Sequence, residues 1–212
     1  MKHLGDFFDS AKMFTFLRGY AMGKNWHETI KALNFVRQMH KGQSRKSGEP
    51  YIIHPEIMAC QAVSLGVDDD EIVASCLYHD VVEDCNVSLN DLPCSKEIKD
   101  IVKLLTYVKP DKYMERDGEG PSIEDVKQLY YRCISEHPKA SIVKILDRCN
   151  NVSSMSGVFS KEKLVSYIDE TNKYVMPLIK STKEQFPEYG NILFVLKYHI
   201  VSVLTSIQGV LV

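Results

Sequence analysis

One imidazole and three carboxylates fall within a short run of the chain, from His79 to Asp84. If this run is helical, side chains three or four positions apart lie on neighbouring turns and come close together. The surrounding residues are apolar, and carboxylates crowded beside apolar surfaces are costly unless a cation compensates their charge. Imidazole with carboxylate suits manganese, iron or zinc. The run therefore predicts a metal site. The alternatives are a solvated acidic face or, for His79 alone, a hydrogen-bonded core histidine.

A second segment, from Arg45 to Pro55, places two adjacent cations before a turn and a histidine, His54, where a helix can begin. The planar guanidinium of Arg45 can stack on a nucleobase, and Lys46 offers a point charge for a phosphate. The segment therefore indicates a loop that binds a phosphorylated ligand. A solvated loop is the alternative.

A third segment contains Asp147 inside an apolar helical stretch, where an unpaired carboxylate is costly. Asn151 lies one helical turn further on and Ser154 nearly another, so all three side chains face one side of the predicted helix. That face places hydrogen-bonding groups beside a candidate metal ligand. The alternative for Asp147 is a buried salt bridge with Arg148.

Helical periodicity dominates the chain, and strand-like alternation rich in Val and Thr is absent from the sequence. Two polar loops, Gly42–Pro50 and Asp111–Pro121, are expected to separate the helices. Helix ends are placed by capping residues and by Gly and Pro. In the first half of the chain the pattern predicts helices over 27–39, from Pro55 to Gly66, and from an N-cap among Asp68–Asp70 through Leu77. In the second half it predicts helices over 96–108, from Ser122 through Ile134 and over 141–155. A last helix is predicted from Ser160 to Phe186, with a kink at Pro177.

The composition favours a single all-α domain, because 212 residues with 44% hydrophobic content suffice for one packed core. Within 1–212 we expect an N-terminal helical extension over 1–26 and an apolar C-terminal helix over 187–212. The C-terminal helix is apolar on most faces, which indicates that it is buried or forms an oligomer contact.

The formal net charge of −2 leaves no basic field for duplex nucleic acid. No signal peptide is expected, because charged residues interrupt the apolar residues near the N-terminus. The apolar stretch Ile192–Leu204 contains Lys197 and His199, and we expect it to be too short and too polar to cross a bilayer. The six cysteines form no C-x-x-C pair and are expected to be reduced. These features predict a soluble cytoplasmic protein without a nucleic-acid or membrane partner.

The three segments occur in the same order in the hydrolase domain of the RelA/SpoT family, which the chain resembles from about Ala32 to Leu178. In size it is similar to the stand-alone small alarmone hydrolases of the metazoan SpoT homologue type. The resemblance implies an all-α fold, a single HD-domain helical bundle. The blocks that carry it are His40-Lys41-Gly42-Gln43-Ser44-Arg45-Lys46-Ser47-Gly48-Glu49-Pro50-Tyr51, His54-Pro55, the run from His79 to Asp84, Asp147 with Asn151 and, more weakly, Glu170-Thr171 with Pro177-Leu178.

The resemblance also implies roles for single residues. It implies that one divalent metal ion, manganese, is bound by His54, His79, Asp80 and Asp147. It implies that Glu83 and Asp84 serve the chemistry, with the assignment of base and acid left open. The implied substrate contacts are Arg45 at the guanine base, Lys46 at the phosphates, Asn151 and Ser154 at the ribose and its phosphates, and Lys144, Lys163 and Tyr167 at further pocket positions.

The activity implied by the resemblance is hydrolysis of the 3′-pyrophosphate of (p)ppGpp, the stringent-response alarmone, to GDP or GTP and pyrophosphate. Two alternatives remain open, an HD phosphatase for another phosphorylated nucleotide or cofactor and a non-catalytic module that binds alarmone. The departures from the family pattern spare the metal ligands and leave the nucleotide preference open. They are Cys149-Asn150 where Leu-His is usual, Ser153 where Arg is usual, and Tyr107 where Lys is usual.

Overall fold

The computed structural model describes residues 4–109 and 120–211 of the chain. These residues form helices and loops without a β-strand, and an isolated antiparallel bridge joins Ser44 to Pro50. The all-α prediction is therefore confirmed. The described residues form the helices α1 (Ser10–Lys24), α2 (His27–Met39), α3 (Ile53–Ser64), α4 (Asp70–Tyr78), α5 (Val81–Asp84), α6 (Lys96–Leu105), α7 (Ile123–Ser135), α8 (Pro138–Ser154), α9 (Lys161–Glu170), α10 (Met176–Gln185) and α11 (Gly190–Leu211).

Two helices, α4 and α8, form the centre of the bundle. α4 packs against α2, α3, α6 and α8, and its residues from Ile72 to Tyr78 are all buried. α8 packs in turn against α3, α7, α10 and α11, and its apolar residues join those of α4 in one core. Full burial of a Leu, Ile or Val side chain contributes roughly 1.5–3 kcal/mol. The core thus fixes α8, which carries Asp147, and the end of α4, which His79 directly follows.

Capping side chains place several helix starts where the sequence predicts them. The helix over His27–Met39 is confirmed at both of its bounds. Asp69 caps α4, and Ser122 forms the predicted capping box with Asp125 at the start of α7. These side chains accept backbone N–H groups that have no partner inside the first turn of a helix. The local signal is therefore sufficient to fix these helix starts.

Three predicted helices have different bounds. The helix predicted from Pro55 to Gly66 begins two residues earlier, at Ile53, and ends at Ser64. The helix predicted over 96–108 ends at Leu105, because Thr106 adopts an extended backbone conformation. The helix predicted from Ser141 begins three residues earlier at Pro138, since a proline is tolerated in the first helical turn, where its missing N–H is not needed.

The segment from Ser160 to Phe186 is interrupted rather than simply kinked. Ser160 caps α9 as predicted, but a π-helical turn over Thr171–Val175 separates α9 from α10. Pro177 lies in the first turn of α10. Proline removes one backbone N–H from the helical ladder, and π-turns are a common site of helix distortion. The change in hydrogen bonding therefore lies just ahead of the proline.

Near each end of the chain the described residues are helical. The N-terminal extension consists of a 3₁₀ turn over Leu4–Phe7 followed by α1. Of the predicted loop Asp111–Pro121, residues 111–119 lie outside the described residues, as does Pro110.

The C-terminal helix α11 has 22 residues and packs along α8. It is long and apolar enough to cross a membrane by length and composition, a test that core helices of soluble proteins also pass. The helical apolar segment is therefore longer than the stretch Ile192–Leu204 on which the sequence expectation rests. One face of α11 is buried, and the opposite face exposes Phe194, Tyr198 and Val201.

Candidate metal centre and nucleotide pocket

The candidate metal centre lies where α3, α4 and α8 meet. His54 is the second residue of α3, His79 directly follows α4, and Asp147 lies in the middle part of α8. These three residues are buried, and one ligand atom from each lies within 4.8 Å of the other two. They come from segments that are distant in the chain, so only the fold brings them together. Two imidazoles and a carboxylate at this spacing can hold a divalent metal ion.

Both histidines turn the same ring nitrogen toward the cluster. The Nδ1 atom of His79 lies 2.9 Å from the carbonyl oxygen of Cys76, and the Nδ1 atom of His54 lies 2.6 Å from Oδ1 of Asn150. Their Nε2 atoms face Oδ1 of Asp147, at 3.8 Å for His79 and 3.4 Å for His54.

The Nε2 atom of His79 is buried and makes no well-aligned hydrogen bond among the described residues, although Oδ2 of Asp80 lies 3.0 Å from it. A buried nitrogen surrounded by carboxylate oxygens is well placed to coordinate a cation through its lone pair. The residues present therefore fit a metal ion at this point.

Asp80 lies beside this cluster, against both imidazoles. Its Oδ2 atom is 3.0 Å from Nε2 of His79 and 3.7 Å from Nε2 of His54, and it accepts a hydrogen bond from the Tyr51 hydroxyl. The run from His79 to Asp84 is not one continuous helix, because α4 ends before His79 and α5 begins after Asp80. Successive residues of a regular helix point about 100° apart. The break between the helices allows adjacent residues to face the same point.

The charges around the cluster favour an ionised carboxylate. Burial opposes ionisation of Asp147, but the Lys144 ammonium, 3.0 Å from its Oδ2 atom, and the two histidines hold the pKa of Asp147 well below its usual range. Burial likewise disfavours a charged His79, yet the carboxylates of Asp80 and Asp147 raise the pKa of His79 to about 9. The cluster therefore attracts positive charge. The salt-bridge partner of Asp147 is Lys144, whereas Arg148 pairs with Glu170.

Glu83 and Asp84 both belong to α5 but occupy different positions. Glu83 lines a cavity beside the cluster, and its Oε1 atom accepts the backbone N–H of Tyr107 at 2.7 Å. Burial raises the pKa of Glu83 despite this hydrogen bond. Both residues are exposed by surface area, but Asp84 is not among the described residues that line the cavity, although its carboxylate interacts with the hydroxyl of Tyr51. Glu83 thus has direct access to the cavity, and Asp84 is linked to it through Tyr51.

The cavity has a volume of about 530 Å³, which lies within the range of roughly 300–1,000 Å³ typical of small-molecule pockets. It is lined by charged, aromatic and hydroxyl-bearing side chains. Every site residue predicted from the sequence except Asp84 lines it: Arg45, Lys46, His54, His79, Asp80, Glu83, Lys144, Asp147, Asn151, Ser154, Lys163 and Tyr167.

The Arg45 guanidinium is held against α8. Its Nη2 atom donates to Oδ1 of Asn151 at 2.8 Å and lies 3.5 Å from Oγ of Ser154. Asn151 in turn donates from Nδ2 to Oδ1 of Asp147 at 2.5 Å. These bonds use the edge of the guanidinium and leave the planar group suited to stacking on a flat ligand.

Lys46 and Lys163 bring two cations together at the cavity wall. Burial and then the neighbouring Lys46 ammonium lower the pKa of Lys163. The Nζ atom of Lys163 also lies 3.8 Å from the centroid of the Phe159 ring. Like charges at short range repel, and an anion bound beside them relieves that repulsion. The pair is therefore suited to phosphate oxygens.

Four tyrosines of the cavity, Tyr51, Tyr107, Tyr130 and Tyr131, have no role predicted from the sequence. Tyr51 lies inside a recognised motif, and its ring stacks on that of His40 with centroids 4.7 Å apart. Tyr107 supplies the backbone N–H that orients Glu83. Motif membership could have marked Tyr51, but no local pattern predicts that the backbone of Tyr107 meets α5.

Another lining residue without a predicted role is Lys127 on α7. It lines the cavity and pairs with Glu170, which also pairs with the buried Arg148. The Arg148 guanidinium lies 4.1 Å from the centroid of the Tyr167 ring. This wall depends on the packing of α7 and α9 around α8, which sequence spacing does not reveal.

Comparison with known protein families matches residues 32–178 to the HD domain. The chain is 31% identical over 156 residues to the guanosine-3′,5′-bis(diphosphate) 3′-pyrophosphohydrolase of Aquifex aeolicus, covering 71% of this chain and 21% of that protein. It is 33% identical over 150 residues to the GTP pyrophosphokinase of Streptomyces coelicolor, covering 70% of this chain and 17% of that protein. The chain thus spans about a fifth of the length of these relatives.

Among solved structures, the chain is similar to one reported as "A metazoan ortholog of SpoT hydrolyzes ppGpp and plays a role in starvation responses". The match has a TM-score of 0.62 and 19% sequence identity, and it covers 85% of this chain and 95% of that chain. At this identity the match establishes a shared fold.

Proposed function

Because the chain belongs to the HD domain family, we propose that it hydrolyses the 3′-pyrophosphate of guanosine 3′,5′-bis(diphosphate). The products are pyrophosphate and GDP, or GTP when the substrate carries a 5′-triphosphate. The observation that carries the proposal is that the histidine–aspartate cluster shares one cavity with Arg45, Lys46 and Lys163. Metal ligands and phosphate-binding cations in one cavity suit the hydrolysis of a phosphorylated ligand. Relatives that bear this activity in their names give further support.

We propose that manganese is the bound ion and that its ligands are His54, His79, Asp80 and Asp147. Imidazole and carboxylate ligands are compatible with Mn²⁺, and the buried Nε2 atom of His79 supports coordination. When bound, such an ion lowers the pKa of a coordinated water and neutralises charge on phosphoryl oxygens. Lys144 keeps Asp147 ionised and so keeps it available as a ligand.

Glu83 is the proposed general base. It lines the cavity, and the Tyr107 N–H holds one of its oxygens, which leaves the other free to accept a proton from the attacking water. The water oxygen then bonds to phosphorus while the bond from phosphorus to the ribose 3′-oxygen breaks. Asp84 lies further from the cavity, and its role is to hold Tyr51 or to return a proton to the leaving oxygen through that hydroxyl.

The remaining side chains are proposed to bind the nucleoside and the phosphates of the substrate at different sides of the cavity. Arg45 stacks on the purine, and Asn151 and Ser154 hold Arg45 and face the ribose. Lys46 and Lys163 bind the phosphate groups that are not cleaved. Tyr167, packed beneath the Arg148 guanidinium, completes the wall.

The test is release of pyrophosphate from guanosine 3′,5′-bis(diphosphate) by purified protein with added Mn²⁺. Adenosine 3′,5′-bis(diphosphate) and nucleotides with a single 2′- or 3′-phosphate are assayed in parallel. Fast release from the guanine compound supports the proposal. Preferential hydrolysis of a singly phosphorylated nucleotide would instead favour the HD phosphatase alternative, and binding of the guanine compound without turnover would favour the non-catalytic module.

We also propose a cytoplasmic protein that forms a homo-oligomer through α11 and binds neither nucleic acid nor membrane. The exposed side chains of Phe194, Tyr198 and Val201 support self-association of this helix. Sedimentation of wild type and of Phe194→Ser/Tyr198→Ser, each with and without vesicles, tests self-association and the absence of membrane binding. A monomer in both proteins, or wild-type binding to vesicles, would contradict them.

A further inference from the structure

The two metal-facing histidines are oriented by different kinds of acceptor. His79 is held through Nδ1 by the backbone carbonyl oxygen of Cys76, which a side-chain substitution leaves in place. His54 is held through Nδ1 by the side chain of Asn150, at 2.6 Å and with both groups buried. The orientation of one histidine thus depends on the backbone, and that of the other on a single amide.

An imidazole can coordinate a cation through Nε2 only when the proton of the neutral ring is on Nδ1. An asparagine side chain can present its oxygen, which accepts a hydrogen bond from the Nδ1–H group. It can also present its NH₂ group, which cannot accept that hydrogen bond. The Oδ1 atom of Asn150 faces Nδ1 of His54. The opposite nitrogen of the ring then faces Asp147 and Asp80 with its lone pair.

We propose that Asn150 is a positioning residue that fixes His54 in its Nδ1–H tautomer and so prepares Nε2 for the metal. The proposal rests on the metal site of the proposed function but not on the identity of the substrate. It gives a role to one of the positions at which this chain departs from the RelA/SpoT pattern. Hydrogen-bond acceptors behind metal-bound histidines typically change metal affinity by about 10–100-fold when they are removed.

The test uses two substitutions of similar volume. Asn150→Leu removes the acceptor, and we expect Mn²⁺ to bind about 10–100-fold more weakly. Asn150→Asp keeps an acceptor oxygen, and we expect Mn²⁺ affinity at least equal to that of wild type. Gln61→Leu is the matched control, because Gln61 contacts Cys149, the neighbour of Asn150, without touching a histidine. Calorimetric titration with Mn²⁺ measures the affinities, and thermal unfolding of the metal-free proteins reports their folding.

A direct readout is the ¹⁵N chemical shift pattern of the His54 ring in metal-free protein. We expect the Nδ1–H tautomer in wild type and Asn150→Asp, and a mixture of tautomers in Asn150→Leu. Two results would overturn this inference without affecting the metal site. The first is wild-type Mn²⁺ affinity together with an unchanged His54 tautomer in Asn150→Leu. The second is a loss of Mn²⁺ affinity in Asn150→Asp as large as that in Asn150→Leu. Absence of Mn²⁺ binding by wild type would overturn the metal site itself, and the inference with it.

Discussion

Glu83→Gln separates proton transfer from binding more cleanly than any other substitution in the cavity. The Oε1 atom of Glu83 accepts the Tyr107 N–H at 2.7 Å, and a glutamine can present its own oxygen to that donor. Shape and this backbone contact are therefore kept. What is lost is the negative charge and the ability to take a proton from water.

Loss of a general base typically lowers the rate by about 10²–10⁴-fold. At 1.36 kcal/mol for each tenfold change, this range corresponds to about 2.7–5.4 kcal/mol of activation free energy. The Mn²⁺ affinity should change much less, because Glu83 is outside the group of ligand atoms formed by His54, His79 and Asp147. KM should also stay near its wild-type value, because the substitution leaves the cations of the cavity in place.

The assay is single-turnover release of pyrophosphate together with Mn²⁺ titration of the same preparations. Asp84→Asn is the matched control, because it removes the adjacent carboxylate on the same short helix but outside the cavity. We expect a smaller loss of turnover in the control. If Glu83→Gln turned over at the wild-type rate while Asp84→Asn lost most activity, the two assigned roles would have to be exchanged.

The other predictions concern binding, pH and stability. His79→Ala should lose stoichiometric Mn²⁺ and activity together. Metal analysis that finds equal Mn²⁺ content in wild type and His79→Ala would refute the role of His79 as a ligand. Arg45→Ala should raise KM roughly tenfold for guanine and adenine substrates alike, because stacking reads the ring face; a selective loss for guanine would show edge recognition. The raised pKa of Glu83 predicts a wild-type rate that rises as pH increases through that pKa, a limb that should vanish in Glu83→Gln. Glu170→Ala should destabilise the fold by roughly 3 kcal/mol in urea unfolding, because it leaves the buried Arg148 unpaired. Burial opposes ionisation of Glu170, but Arg148 and Lys127 lower its pKa below 4.5, so its stabilisation should be full above that pH and disappear as pH falls through the folded pKa.

Much of the helical framework could be predicted because its signals are local. An N-cap side chain such as Asp69 or Ser122 acts within one turn, so its effect can be read from a few residues. The placement of His54, His79 and Asp147 in one cluster could not be obtained in this way. Only their occurrence in ordered blocks of a known pattern pointed to it.

The features that escaped prediction depend on packing between distant segments. The spacing from His79 to Asp84 is compatible with one helix, but α4 ends at Tyr78 and α5 begins at Val81. The backbone of Tyr107, two residues beyond the end of α6, contacts Glu83, and the side chain of Lys127 on α7 lines the cavity. Neither residue belongs to a motif recognised in the sequence. Their positions follow from the three-dimensional arrangement of the bundle.

One amide connects the two halves of the site. Asn151 donates from Nδ2 to Asp147 and accepts from Arg45 at Oδ1, so each end of its side chain has the partner that its chemistry requires. Rotation of the amide by half a turn would break both bonds, and this gives the orientation a single well-defined state. The distance between the Asp147 carboxylate, a proposed metal ligand, and the Arg45 guanidinium, which is proposed to stack on the base, is therefore fixed before the ligand arrives. A purine placed against Arg45 would thus bring its ribose and 3′-phosphates to a set position relative to the metal, and this positioning lowers the entropic cost of reaching the reactive geometry.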